Sequence, residues 1–177
     1  RDTMTIEIDN LEAIDAATPV LNDITAAHSV VGDTEQARVV KIAVNSMLGG
    51  TTQLLAEATV MAEAAGVDRS VFLDALNSTV MSSRFVSYKG AALRTRDYAP
   101  TFTTSDMRKD MTLAADLAQS HGVATPVGSA VLTQLATAIG QDPAIFAAGR
   151  GGFLARSRVR PGDRLAEWRR RRPRPPP

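Results

Sequence analysis

From Thr34 to Gly66 the sequence reads TEQARVVKIAVNSMLGGTTQLLAEATVMAEAAG, with no proline in the whole stretch. At a rise of ~1.5 Å per residue such a helix is near ~48 Å long, longer than most globular helices. Gly66 is its natural C-terminal stop. A rod of this length sets the frame for the residues after it, and those residues also read as helical. Asp68 caps a helix whose buried face is predicted at Val71, Phe72, Ala75 and Leu76. Residues 81–99 read as a helix interrupted near Gly90 and ended before Pro100. Residues 104–122 open with Thr104 or Ser105 as cap and close on Gly122. Residues 125–140 carry Pro126 in the first turn, a place helices accept. Five helices and no strand after residue 34 indicate an all-α domain.

The segment before residue 34 has a different period. MTIEID (4–9) alternates apolar and polar residues, as a half-buried strand does. Asn10 is placed to cap a helix carrying Leu11, Ile14, Ala17, Val20, Leu21 and Ile24 at helical spacing. Pro19 falls inside that pattern and is predicted to kink the helix or to start a second segment. AAHSVVG (26–32) is a second short strand. Strand–helix–strand fits the last unit of a doubly wound α/β domain, although two strands cannot build such a sheet alone.

Composition removes several chemistries. The chain has no cysteine, so disulfides, thiolate metal sites and cysteine nucleophiles are excluded. Two histidines, His28 and His121, make a histidine-based metal site an unfavoured reading, and both are expected to be structural. No run approaches the ~18 apolar residues of a membrane span. The opening RDTMTIEIDN shows no apolar signal core, so a cytoplasmic piece beginning further upstream is expected. The net charge of +1 conceals an asymmetry. Residues 1–149 hold 10 Lys/Arg against 17 Asp/Glu, whereas residues 150–177 hold 10 Arg against Asp163 and Glu167. The tail, with four consecutive arginines and closing prolines, buries nothing and is expected to be disordered. RRRRPRPPP also resembles translated vector or out-of-frame GC-rich sequence.

Within the long helix, Lys41 and Asn45 stand at i and i+4 and share one face, continued by the small residues Gly49 and Thr52. A mid-helix glycine costs about 1 kcal/mol relative to alanine, so Gly49-Gly50 predicts a close neighbour against the backbone. A lysine on a cleft wall can take or give a proton, and an asparagine can orient a hydroxyl or carboxylate. Spacing alone favours a solvated face, and by pattern alone Phe102 is a core aromatic and MRKD a helix surface.

VVGDTEQARVVKIAVNSMLGGTTQLLAEATVMAEAAGVD, followed by FTTSDMRKDMTLAADLAQSHGVATP, resembles the C-terminal half of the β-hydroxyacid dehydrogenases. These include the 3-hydroxyisobutyrate, tartronate semialdehyde and succinic semialdehyde/glyoxylate reductase types, relatives of 6-phosphogluconate dehydrogenase. The similarity covers roughly residues 3 to 140. The family's K-x-x-x-N motif matches Lys41 and Asn45, and its F-x(7)-D motif with a preceding lysine matches Phe102, Lys109 and Asp110. The resemblance implies Lys41 as catalytic acid/base and Asn45 as substrate-binding. It implies Lys109 at the dinucleotide, with Phe102 and Asp110 beside it. The glycine-rich turn departs from the family: Gly32 matches, but Glu35 and Ala37 replace glycines and Val44 replaces an asparagine. A glutamate there would repel a phosphate or carboxylate.

The fold implied is mostly α, an all-helical C-terminal domain led by a long interdomain helix. Three segments are implied: 1–33 as the terminal remnant of a Rossmann dinucleotide-binding domain, 34–148 as the helical catalytic and oligomerisation domain, and 149–177 as the basic tail. The implied activity is NAD(P)-dependent oxidation of small β-hydroxy acids, or reduction of the matching semialdehydes. NAD or NADP would be held mainly by the N-terminal domain. No G-x-G-x-x-G follows a strand in this chain, so turnover by the chain alone is not expected. A homodimer or tetramer is expected, with neither membrane nor nucleic acid as partner. Two alternatives remain: a helical oligomerisation module whose arginine tail contacts nucleic acid, and an imine reductase-like enzyme, against which Lys41 argues.

Overall fold

The computed structural model describes residues 5–8, 11–99 and 102–141. The Asn10 cap, the ends of the first predicted strand and the whole 149–177 tail lie outside the described residues. Strands β1 (Thr5–Ile8) and β2 (Ala27–Val30) flank helix α1 (Leu11–Ile24). They pair in parallel, Thr5 opposite Ala27 and Ile8 opposite Val30, as two consecutive strands joined by a crossover helix do. Pro19 lies within a continuous α1 and does not start a second segment, one of the two outcomes expected from sequence. The hydroxyl of Thr18 donates to the Ile14 carbonyl at 2.7 Å, so the turn around the proline keeps a hydrogen bond there.

Helix α2 (Gln36–Ala64) contains 29 residues, a rod of ~43 Å. Along it lie α3 (Arg69–Asn77), α4 (Arg84–Thr95), α5 (Thr104–Ser120) and α6 (Pro126–Gln141). Among the described residues these five helices follow residue 34 with no strand between them. Gly66 ends α2 in the left-handed region, φ 91°. Its amide donates to the Glu63 carbonyl and that of Val67 to Ala62, the paired bonds of a Schellman ending. Gly122 closes α5 in the same way, through Gln119 and Ala118. Asp68 caps α3 as expected, accepting from the amides of Ser70 and Val71. Thr103, one residue before the predicted position, caps α5, because Thr104 is already helical and only 5% exposed. Helix α4 runs unbroken through Gly90, which is buried. A Cβ there would meet Leu73 Cδ2 at 3.6 Å, an ordinary contact, so this glycine lies within the helix beside α3 and does not break it.

Two apolar clusters sit along the rod. Leu55 and Ala56 of α2 pack with Leu73 of α3 and with Val86 and Leu93 of α4. Nearer the start of α2, Leu48 packs against Met107 and Met111 of α5 and Val131 and Leu135 of α6. The buried face of α3 is rotated from the predicted one: Val71 is exposed, whereas Leu73 is fully buried between half-buried Phe72 and Leu76. Arg69 accounts for the rotation. Its guanidinium is buried, donates to both Glu63 carboxylate oxygens, and reaches the Leu93 carbonyl at 2.8 Å and the Tyr98 hydroxyl at 3.2 Å. The hydrogen-bonded Glu63 carboxylate raises the guanidinium above its ordinary value against the opposing effect of burial. One side chain thus fastens α2, α3, the end of α4 and the segment after it.

Gly49 is where α2 and α5 come closest. A Cβ there would stand 2.7 Å from Met111 Sδ and 3.0 Å from Met107 Sδ, whereas one on Gly50 would meet nothing nearer than Val127 Cγ1 at 4.0 Å. Both substitutions gain the same helix propensity of about 1 kcal/mol, but only the first overpacks a filled core, at about 1–3 kcal/mol. Gly50→Ala should therefore raise the urea midpoint and Gly49→Ala should lower it. Equal gains at both positions would show that the α2–α5 contact is looser than described.

Candidate active site

The start of α2 forms one wall of a cleft of about 680 Å³. Lys41, Asn45, Leu48 and Thr52 all face it, as their spacing on one helix stripe requires. The opposite wall is built by Phe85, Tyr88 and Lys89 of α4, by Tyr98, and by Phe102 and Thr103 at the entry to α5. Lys41 is exposed on this wall, while Asn45 and Thr52 lie deeper. The Thr52 hydroxyl donates to the Leu48 carbonyl within its own helix, so it is already occupied.

Asn45 is held from behind. Its Nδ2 donates to Asp110 Oδ2 of α5 at 2.6 Å, and the Asp110 side chain is only 12% exposed. The other Asp110 oxygen lies 3.4 Å from Lys109 Nζ, which is well exposed. The bond uses the amide nitrogen of Asn45, so its carbonyl oxygen takes no part in it and is not consumed by Asp110. The residues singled out in sequence therefore fall into two groups. Lys41, Asn45 and Phe102 line the cleft. Lys109 and Asp110 stand behind Asn45, outside the lining. Phe102, readable from sequence as a core aromatic, is 41% exposed and belongs to the cleft surface.

The departures in the glycine-rich turn also have places. Glu35 is exposed, and its carboxylate accepts from Arg38 Nε at 2.6 Å. The Gln36 side chain lies over Gly32 and accepts from the amide and hydroxyl of Thr34. Val44 is half-exposed and outside the cleft lining. His28 is half-buried in β2 and His121 is exposed at the end of α5. Among the described residues no cluster of His, Asp or Glu could hold a metal ion, and no helix is long and apolar enough to cross a membrane. Sequence reasoning missed Lys89, which sits between aromatic residues on α4. Phe85 and Lys89 at i and i+4 was the available signal, but without the opposing helix that spacing described only a helix surface.

Removing either partner of the Asn45–Asp110 bond should destabilise the chain. Because the Asp110 carboxylate is nearly buried and accepts from this amide, a cycle of Asn45→Ala and Asp110→Ala should give a coupling of about 1–3 kcal/mol. A coupling near zero would mean that the bond does not hold the amide in solution.

Three comparisons bear on this geometry. A family model described as the NAD-binding region of NADP-dependent 3-hydroxyisobutyrate dehydrogenase matches residues 36–144. The chain is 25% identical over 114 residues to glyoxylate/succinic semialdehyde reductase 2, chloroplastic, of Arabidopsis thaliana. That match covers 64% of this chain and 32% of the relative. It is 28% identical over 100 residues to glyoxylate/succinic semialdehyde reductase 1 of the same plant, covering 56% of this chain and 35% of the relative. The crystal structure of 3-hydroxyisobutyrate dehydrogenase from Salmonella typhimurium shares the fold, with a TM-score of 0.73 at 23% identity, over 85% of this chain and 50% of that one. The chain thus spans about a third of the length of the curated relatives it matches.

Proposed function

The chain belongs to the NAD-binding 3-hydroxyisobutyrate dehydrogenase family, and from that premise we propose that it supplies the proton-transfer wall of an oxidoreductase. The substrates would be small β-hydroxy acids or the matching semialdehydes. The observation that carries this reading is the placement of Lys41 and Asn45 together on one cleft wall, with Asn45 fixed from behind by Asp110.

The residues present fit a dinucleotide. Lys109 offers an exposed ammonium on α5, outside the cleft lining, and Phe102 is an exposed aromatic on the cleft surface. Lys109 and Phe102 would hold it together with a Rossmann domain, of which residues 1–33 would be the terminal part. When bound, NAD or NADP supplies the nicotinamide that accepts or donates hydride. The chain's own groups would do the rest. Lys41 Nζ would take the hydroxyl proton of the substrate in oxidation, or return one to the oxygen in reduction. The Asn45 carbonyl oxygen, not consumed by Asp110, would accept from that hydroxyl and keep it within reach of Lys41. The apolar wall formed by Leu48, Phe85 and Met107 would limit water around the reacting carbon. The helical half alone would not turn over substrate, and residues 34–148 would also carry the contacts of a homodimer or tetramer.

In the full-length protein, Lys41→Ala should lower kcat by about 10²–10⁴-fold, the usual range for a lost general acid/base, with cofactor affinity nearly unchanged. Near-normal turnover would remove Lys41 from this role. Residues 34–148 by themselves should show no turnover, and joining them to a dinucleotide-binding domain should be required for it.

A further inference from the structure

We propose that Lys89 is an anion-holding residue of the cleft, placed on the α4 wall to bind a carboxylate or phosphate oxygen of a ligand whose hydroxyl faces Lys41. This rests on the cleft being the ligand site of the proposed oxidoreductase, and it names a second charged group there. Its basis is a contrast in pairing. Arg38, Arg69, Arg94, Arg96 and Lys109 each pair with a carboxylate, whereas the exposed Arg108 pairs with none among the described residues but lies outside the cleft lining. Lys41 and Lys89 pair with none among the described residues, and both line the same cleft. The lining includes one carboxylate, Asp97, and its Oδ1 already accepts from the Ala99 amide. In a body with 17 Asp/Glu against 10 Lys/Arg over residues 1–149, a cleft with two unpaired ammonium groups is a local reversal of charge.

Aromatic rings hold Lys89 in place without consuming its charge. Its Nζ lies 5.1 Å from the centroid of Tyr88 and 5.8 Å from that of Phe85, and the residue is half-buried. Ring faces attract a cation but, unlike a carboxylate, leave its N–H donors free for an anionic oxygen. Two like charges in one cleft also oppose each other, and an anion between them relieves that cost. A small hydroxy acid has both features this pair would recognise: a hydroxyl for Lys41 and a carboxylate for Lys89. A phosphate of the dinucleotide would present the same oxygen chemistry to Lys89.

The chain has three lysines, Lys41, Lys89 and Lys109, so each can be followed separately. The test uses the 177-residue chain with its lysines ¹³C-dimethylated, observed by NMR at low ionic strength. Malonate is titrated in one arm and pyrophosphate in the other. The Lys89 signal should shift saturably with at least one of them, and the tighter arm identifies a carboxylate or a phosphate as the preferred source. Lys89→Gln should weaken that binding about tenfold, as loss of a charge-assisted bond does, and Lys89→Arg should restore most of it. A Lys89 signal unmoved by either anion, or a Kd unchanged by Lys89→Gln, overturns the proposal. Neither result touches Lys41, whose role is judged by turnover, so the two readings fail separately. Anion binding by the arginine tail would not move the Lys89 signal and is distinguished by that.

Discussion

The contact of α2 with α5 at Gly49 is the constraint on which the cleft depends. Met107 and Met111 press their sulfurs against a backbone that has no side chain to hold them off. One helical turn before Gly49, the same closeness lets the short Asn45 side chain reach Asp110 at 2.6 Å. A wider helix spacing would break that bond first, because neither side chain is long enough to follow. Core packing and site geometry are therefore one feature seen at two successive turns of the same face. The glycine cost in helix propensity is the counterpart of a fixed amide in the cleft.

The second organising element is the buried Arg69. Removing its partner from a buried ion pair usually costs about 3–5 kcal/mol, reduced here because Glu63 is still 27% exposed and Arg96 lies 3.3 Å from it. Its reach to the Leu93 carbonyl and the Tyr98 hydroxyl ties the end of α4 and the segment after it to α2 and α3. Tyr98 is also a cleft residue. The far wall of the cleft is thus anchored from the core side, and both walls meet the ligand space already positioned.

Much of this was legible in sequence because it rests on local rules. The long helix followed from the absence of proline, its end from Gly66, and the α3 start from Asp68. Gly49 was readable as a close-approach site, although nothing local named Met107 and Met111 as the neighbours. What sequence misplaced was decided by tertiary partners. Leu73 rather than Val71 is buried because Arg69, four residues earlier, turns α3 to reach Glu63 and Leu93. Gly90 continues its helix and is buried beside Leu73, a neighbour that no local signal names. Phe102 lies in the cleft rather than the core, which only the α2 wall opposite determines. Lys89 has no motif, and its significance appears only when a carboxylate is sought for each lysine across separate helices and two lysines of one cleft are left without.

That residue pairing also separates what the chain can do by itself from what it cannot. The orientation of Asn45 is set by Asp110, inside this bundle, and does not wait for another domain. Lys41 is different: it is exposed on the wall and has no carboxylate among the described residues to steer it. A lysine of that kind has several rotamers, and holding it to one geometry costs conformational entropy of about 1.5–2 kcal/mol. The two residues of one helix stripe are therefore restrained differently: Asn45 by a partner inside the bundle, Lys41 by no carboxylate among the described residues.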